Sequence, residues 1–179
     1  MVALFVYKQI FYKICPMTGS PYKINSRTLV LGLGNALVCD DAIGLVLVQK
    51  LSEQIKEQNI EFKVSEKVGL NLIELLQGYD RAIIIDSIIT GKHQLGEVIE
   101  FSIEDIIDTP RLRCPHDADF KSSVELARIT GLKMPEKIII LGIEVQDNLT
   151  FSENLSPKLS SILPSIINNL ALKIESFAK

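Results

Sequence analysis

The first part of the fold is predicted by residues 28–51, which read TLVLGLGNALVCDDAIGLVLVQKL. The apolar run at 29–33 is short and bounded by turn residues, as in a strand that is covered on both faces. A helix then follows, because apolar residues recur along one helical face at Ile43, Val46, Leu47, Leu51 and Ile55. A strand, a turn and a returning helix form half of a βαβ unit, in which ligands bind beyond the carboxyl ends of the strands. Asp40 and Asp41 fall at that position.

Strand patterns recur along the rest of the chain and alternate with helical ones. We predict strands at residues 60–64, nearer a sheet edge, and at 82–85, 97–101 and 137–145. Such alternation is typical of a mostly parallel sheet that is covered on both sides. The predicted fold class is therefore α/β: a single three-layer domain over residues 26–179, with a twisted, mostly parallel sheet of about five strands sandwiched between helices.

Helix ends are marked by capping residues and glycines. A helix over 70–77 is opened by Gly69 and ended by Gly78, and a second begins with the capping box of Ser122 and Glu125 and ends at Gly131. The last helix starts at Ser156–Pro157, and Pro164 is expected to kink it or to split it in two. Between these elements, Ser102 and Asp105 suggest a short helical turn, and residues 107–120 are predicted to form a long loop of the kind that is usually functional.

Composition narrows the class of protein. The net charge of -3 gives no electrostatic footprint for nucleic acid, so we expect no nucleic-acid partner. Three separate cysteines without a Cys-x-x-Cys pair favour a reducing cytoplasm, and they are Cys15, Cys39 and Cys114. Residues 1–25 are predicted to be a weakly ordered N-terminal extension. Alternatively, since Met17 is a plausible start of translation, residues 1–16 are an artefact of gene calling. Their apolar run is too short and too charged to span a membrane, so no membrane partner is expected.

The paired acids are the first candidates for chemistry. One aspartate is explained as the helix cap, stabilised at the positive end of the helix dipole, and we assign that role to Asp40 and the crevice to Asp41. Gly44, inside the helix, indicates a close approach to the neighbouring strand, because glycine there costs about 1 kcal/mol relative to alanine. Asp86 follows the second buried strand, either as a cap for the next turn or as a residue of the site. If the first and third strands are neighbours, Asp41 and Asp86 border one pocket, and they then need a cation or a shared proton.

Other polar residues near the predicted sheet edge have alternative roles. His116 lies in the long loop among Pro115, Asp117 and Asp119, whereas His93 is expected to be exposed. Two carboxylates and an imidazole would suit Zn²⁺ or Ni²⁺. Glu144 is either a further acid of the site or, as we favour, a surface residue. A dinucleotide site after Gly32-x-Gly34 is weakly indicated, because the third glycine is missing and two acids would repel a pyrophosphate.

The ordered motifs resemble those of the hydrogenase maturation proteases. The resemblance runs from about Thr28 to the C-terminal helix, through GLGNALVCDDAIG, GLNLIELLQGYDRAIIIDSI, PHD and LGIE followed by LSP. It implies a twisted sheet between helices and an endopeptidase, of aspartyl type or metal-dependent, that removes the C-terminal extension of a nickel-iron hydrogenase large subunit once nickel has been inserted. The partner it implies is that large-subunit precursor.

The resemblance also implies a site. Its metal-binding and catalytic residues fall on Asp41, Asp86 and His116, where Asp41 replaces a residue that is often glutamate in the family. Nickel, supplied by the precursor, would either polarise the scissile carbonyl and activate water or serve only as the recognition element. An Asp-Gly-Gly-Thr segment common in the family is replaced here by SEKVGLN, which leaves the subgroup and partner open. The alternative is a non-catalytic, nickel-dependent chaperone or checkpoint protein that binds the precursor.

Overall fold

The computed structural model describes residues 26–66, 71–103 and 120–178. The predicted N-terminal extension, the helix opening at Gly69, the turn at Asp105 and the predicted loop as far as residue 119 lie outside these ranges. Within them, no helix is long and apolar enough to cross a bilayer.

A five-stranded sheet forms the centre of the domain. Its strands are β1 (Thr28–Leu33), β2 (Ile60–Ser65), β3 (Arg81–Ile88), β4 (Val98–Ser102) and β5 (Lys137–Glu144), in the order β2-β1-β3-β5-β4. Four strands are parallel, and β4 pairs antiparallel with β5 at one edge. β2 occupies the other edge, as its alternating pattern predicted. The predicted α/β fold with a mostly parallel sheet is confirmed.

The helices are α1 (Ile43–Gln54), α2 (Asn71–Leu76), α3 (Phe120–Ile129) and α4 (Pro157–Ala178), and a 3₁₀ turn at Cys39–Ala42 precedes α1. One prediction about them is wrong, and one part of another. Ser122 lies inside α3 rather than at its cap, since α3 already includes Phe120, whose fully buried ring joins the core. α4 continues through Pro164 as one helix, so the proline does not split it, and buried residues lie on both sides of the proline.

The core has two layers, one on each face of the sheet. α1 and α4 pack on one face, against residues such as Val30, Ile83 and Leu141. α2 and α3 pack on the other, against Leu31 and Ile84. Because alternate side chains of a strand leave opposite faces, the continuous apolar runs of β1, β3 and β5 fill both layers at once. This is the three-layer arrangement predicted from the sequence.

Gly44 explains how closely α1 approaches the sheet. A Cβ added there would collide with the carbonyl oxygen of Leu33 and would lie 2.5 Å from that of Ile85. The predicted close approach is therefore confirmed. It brings the start of α1 against the ends of β1 and β3, where the acidic residues lie.

The connections leave β1 and β3 in opposite directions. From β1 the chain passes through α1 to β2, whereas from β3 it passes to β4 and β5 on the other side. A sheet with this strand order opens a crevice at the carboxyl ends of the two strands, and ligands of α/β proteins bind there. β1 and β3 pair in parallel, which meets the condition stated above for bringing Asp41 and Asp86 to the same part of the sheet.

Candidate functional site

Asp41 lies in the 3₁₀ turn above the end of β1. Its N–H donates to the carbonyl of Val38 at 2.9 Å, and its side chain is only 8% exposed. Gly34 makes room for this turn, because a Cβ there would lie 2.5 Å from the carbonyl oxygen of Asp41. The carboxylate accepts a hydrogen bond from the hydroxyl of Ser87 on β3, with 2.7 Å between Asp41 Oδ1 and Ser87 Oγ. Asp41 is thus fixed against the neighbouring strand.

Asp86 lies inside β3 rather than after it. The apolar run ends at Ile85, but pairing with β5 continues through Asp86, Ser87 and Ile88 and extends the strand. Asp86 is 1% exposed, and its Oδ1 accepts the N–H of Ser87 at 2.9 Å. Burial raises the pKa of Asp86 to about 7, against the lowering effect of that hydrogen bond. A cation would relieve the cost of ionising this carboxyl group.

Ser87 connects the two carboxylates. Its hydroxyl donates to Asp41 and its N–H to Asp86. Since neighbouring side chains of a strand leave opposite faces, Asp41 meets β3 from the side of α1, and Asp86 leaves β3 toward the side of α2 and α3. The two acids therefore approach the carboxyl-terminal part of β3 from opposite faces of the sheet, with Ser87 between them. Ser87 was not among the residues predicted from the sequence, where its only signal is its place after Asp86.

Asp40 does not cap α1, contrary to the sequence prediction. The residue before α1 is Ala42, and no side chain caps the helix there. Asp40 is fully buried and binds the start of α4: its two oxygens accept the N–H of Ser156 at 2.7 Å and its hydroxyl at 3.0 Å. Asp40 and Asp41 therefore have separate roles, as predicted. The role of Asp40, however, is to join the turn before α1 to the start of α4 rather than to cap α1.

Glu144 is buried, whereas the sequence favoured a surface position for it. It is 3% exposed and ends β5, where its carboxylate accepts three hydrogen bonds, from the N–H and hydroxyl of Thr90 and from the N–H of Gly91. These contacts hold the connection that follows β3. His93, further along that connection, is exposed as expected, and its ring contacts Glu97 at 2.9 Å.

The donor atoms at the end of β3 suit a metal ion only in part. Asp41 and Asp86 supply carboxylate oxygens, which zinc and nickel accept. His116 lies outside the described residues. Within residues 26–66, 71–103 and 120–178, no three His, Cys, Asp or Glu side chains form a group that would hold a metal ion. The roles of Asp41, Asp86 and His116 as ligands remain predictions.

The glycines after β1 serve packing. A Cβ on Gly32 would collide with the carbonyl oxygen of Gly44 and would lie 2.8 Å from Val48, so this glycine admits α1 rather than a phosphate. Gly34 admits the turn that carries Asp41. The positions that resembled part of a dinucleotide motif are thus occupied by the protein's own backbone.

The fold and these residues define an α/β protein with two carboxylates at the switch point of its sheet. The sequence model of a family described as hydrogenase maturation protease matches residues 45–173. The chain belongs to this family of peptidases.

Individual relatives agree with this assignment. The chain is 28% identical over 154 residues to the hydrogenase 2 maturation protease of Escherichia coli strain K12, covering 84% of this chain and 92% of that one. It is similar to the solved structure of a [NiFe] hydrogenase maturation protease, HybD from Thermococcus kodakarensis, with a TM-score of 0.59, 28% identity and coverage of 86% and 99%. The E. coli hydrogenase maturating endopeptidase HybD has the same fold, with a TM-score of 0.64 at 24% identity over 84% and 93% of the two chains.

Proposed function

We propose that this protein is an endopeptidase that removes the C-terminal extension of a nickel-loaded nickel-iron hydrogenase large-subunit precursor. Family membership supports the class of reaction and a hydrogenase as partner. The observation that carries the finer proposal is the pair of buried acids, Asp41 and Asp86, linked through Ser87 at the carboxyl end of β3. We place the reaction in the cytoplasm, as the separate cysteines predicted.

In this proposal, nickel is part of the substrate. Asp41 and Asp86 offer it oxygen ligands, and His116 is the proposed third residue. The Ser87 hydroxyl holds the Asp41 carboxylate in place before the precursor arrives, since the two atoms are already 2.7 Å apart. Because the pKa of Asp86 is about 7, cation binding at neutral pH displaces a proton from part of the population. Substrate recognition is therefore expected to weaken below pH 7.

Ligation of nickel positions the scissile bond rather than breaking it. Hydrolysis adds water across the peptide bond, so one proton leaves the attacking water and one reaches the departing amine. An ionised carboxylate beside the attacking water can accept the first of these protons, and contact with nickel keeps Asp86 in that form. We therefore assign Asp86 both contact with nickel and contact with the attacking water, and Asp41 the positioning of nickel.

The test is incubation of the purified protein with nickel-loaded and nickel-free precursor, followed by measurement of the precursor's intact mass. We expect the C-terminal extension to be lost only from the nickel-loaded form. Asp86→Asn should abolish the mass change. An unchanged precursor mass combined with stable, nickel-dependent binding would contradict the protease proposal and support the checkpoint alternative.

A further inference from the structure

Three exposed apolar side chains lie close together beside the candidate site. Leu37, in the turn after β1, is 56% exposed, and Leu149 and Phe151, in the loop after β5, are 84% and 85% exposed. We call these three residues the apolar rim. A single exposed apolar residue is ordinary on a protein surface, but adjacent ones next to a functional site are typical of a contact surface.

Backbone hydrogen bonds join the two loops of the apolar rim. Val38 and Phe151 form an antiparallel bridge, and the N–H of Ser152 donates to the carbonyl of Leu37 at 3.1 Å. Within the second loop, Asp147 Oδ1 accepts the N–H of Leu149 at 3.2 Å. The exposed side chains are thus presented by a braced backbone, which lowers the entropy lost when a partner covers them.

The same bonds place the apolar rim beside the acids. The carbonyl of Asp147 accepts the N–H of Asp40 at 3.0 Å, next to Asp41. Leu37 is four residues from Asp41, which limits the separation of their Cα atoms to about 14 Å. A standard protein interface covers about 800 Å² per partner, or a disc of about 16 Å radius. A protein whose scissile bond reaches Asp41 therefore extends over the apolar rim.

We infer that the apolar rim is the docking surface for the protein substrate, which presents an apolar patch beside its scissile bond. This inference rests on the proposed function, because it takes the occupant to be the precursor that reaches Asp41 and Asp86. Aromatic side chains such as Phe151 commonly supply the main anchors of an interface. The acids then select the nickel-loaded site, and the apolar rim selects the protein that carries it.

The test measures initial rates of precursor processing over a range of precursor concentrations. The double variant Leu149→Ser/Phe151→Ser is expected to raise KM by about 10- to 100-fold, as loss of an aromatic anchor does, with kcat within about 2-fold of wild type, since the rim touches no reacting atom. Ile129→Ser is the matched control: Ile129 is 82% exposed but ends α3, after which the chain returns to the start of β5, at the opposite end of the parallel strands from Asp41. Its KM should equal that of wild type.

Several outcomes would overturn the inference. One is an unchanged KM in the double variant, and another is an equal rise in the Ile129→Ser control. A wild-type dimer that dissociates in the double variant, measured by sedimentation, would assign the apolar rim to a second copy of the chain. If the double variant unfolds at a lower temperature than wild type, Leu37→Ser on the other loop takes its place, with the same expected rise in KM.

Failure of the proposed function gives a different result. If wild-type protein leaves the nickel-loaded precursor uncut, the protease proposal fails, and titration calorimetry then measures precursor affinity directly. Weaker binding by the double variant than by wild type and Ile129→Ser would still support the apolar rim as the docking surface. Equal affinity in all three proteins would overturn it.

Discussion

Replacing Asp86 by asparagine is expected to stabilise the protein and to abolish its activity. The folded protein keeps the Asp86 proton up to a pKa of about 7, whereas the unfolded chain releases it above the ordinary value of 3.8. Between these values the unfolded state binds fewer protons, so the wild-type free energy of unfolding falls as the pH rises. Asparagine carries no charge at any pH and can still accept the N–H of Ser87 through its Oδ1.

The size of the effect follows from the two pKa values. Each unit of difference corresponds to about 1.36 kcal/mol, so the ionisable Asp86 lowers the free energy of unfolding by about 4 kcal/mol at pH 8 and by about 1–2 kcal/mol at pH 5. Solvent screens the Asp86 carboxylate little, because this residue is only 1% exposed. Any effect of the introduced amide group on the free energy of unfolding that does not depend on ionisation is the same at both pH values. The gain in the free energy of unfolding from Asp86→Asn should thus be about 2–3 kcal/mol larger at pH 8 than at pH 5.

Urea unfolding of wild type and Asp86→Asn at pH 8 and pH 5, with a chelator present, measures this difference. Glu144→Gln is the matched control, since Glu144 is also a buried acid of a central strand but accepts three hydrogen bonds. It should lose stability at pH 8, because an amide cannot accept all three. A stability change for Asp86→Asn that is the same at both pH values would refute the reasoning.

Three further predictions concern the packing around the acids. Gly44→Ala should lower the free energy of unfolding, measured in urea, by about 2–3 kcal/mol, because the added Cβ would meet the backbone of β1 and β3. Unchanged stability would contradict this close contact. Ser87→Ala should cost about 1 kcal/mol of stability and slow precursor processing several-fold, because the hydrogen bond to Asp41 is lost. Ser87→Thr keeps the hydroxyl and should restore most of the rate. A rate for Ser87→Thr as low as that for Ser87→Ala would exclude a role for this bond. Ser156→Ala should lower the unfolding temperature of the protein by a few degrees, because Asp40 then loses one of its hydrogen bonds, and an unchanged temperature would show that this bond contributes nothing.

The sequence predicted those parts of the structure that depend on neighbouring residues. The strand, turn and helix around Asp41 follow from a contiguous apolar pattern, and Gly44 already indicated the close approach of α1 to the sheet. Asp86 was found because it interrupts an apolar run. The place of both acids at the switch point depended on β1 and β3 being neighbours, which the sequence left as a condition and the structure meets.

Residues whose partners are distant in the chain were misread. The bond between Asp40 and Ser156 spans 116 residues, and those between Glu144 and Thr90 span 54. No local pattern distinguishes an aspartate that caps the next helix from one that binds another helix. The capping box was misread for a similar reason, because Phe120, two residues before Ser122, is already helical and its ring is buried in the core.

The central claim is that Asp41 and Asp86 offer oxygen ligands to nickel carried by the precursor. X-ray absorption at the nickel edge tests it directly, using nickel-loaded precursor alone and in complexes that are frozen before cleavage. We predict additional oxygen or nitrogen neighbours of nickel in the complex with wild-type protein, and fewer of them with Asp86→Asn. A nickel environment that does not change when wild-type protein binds would contradict the account.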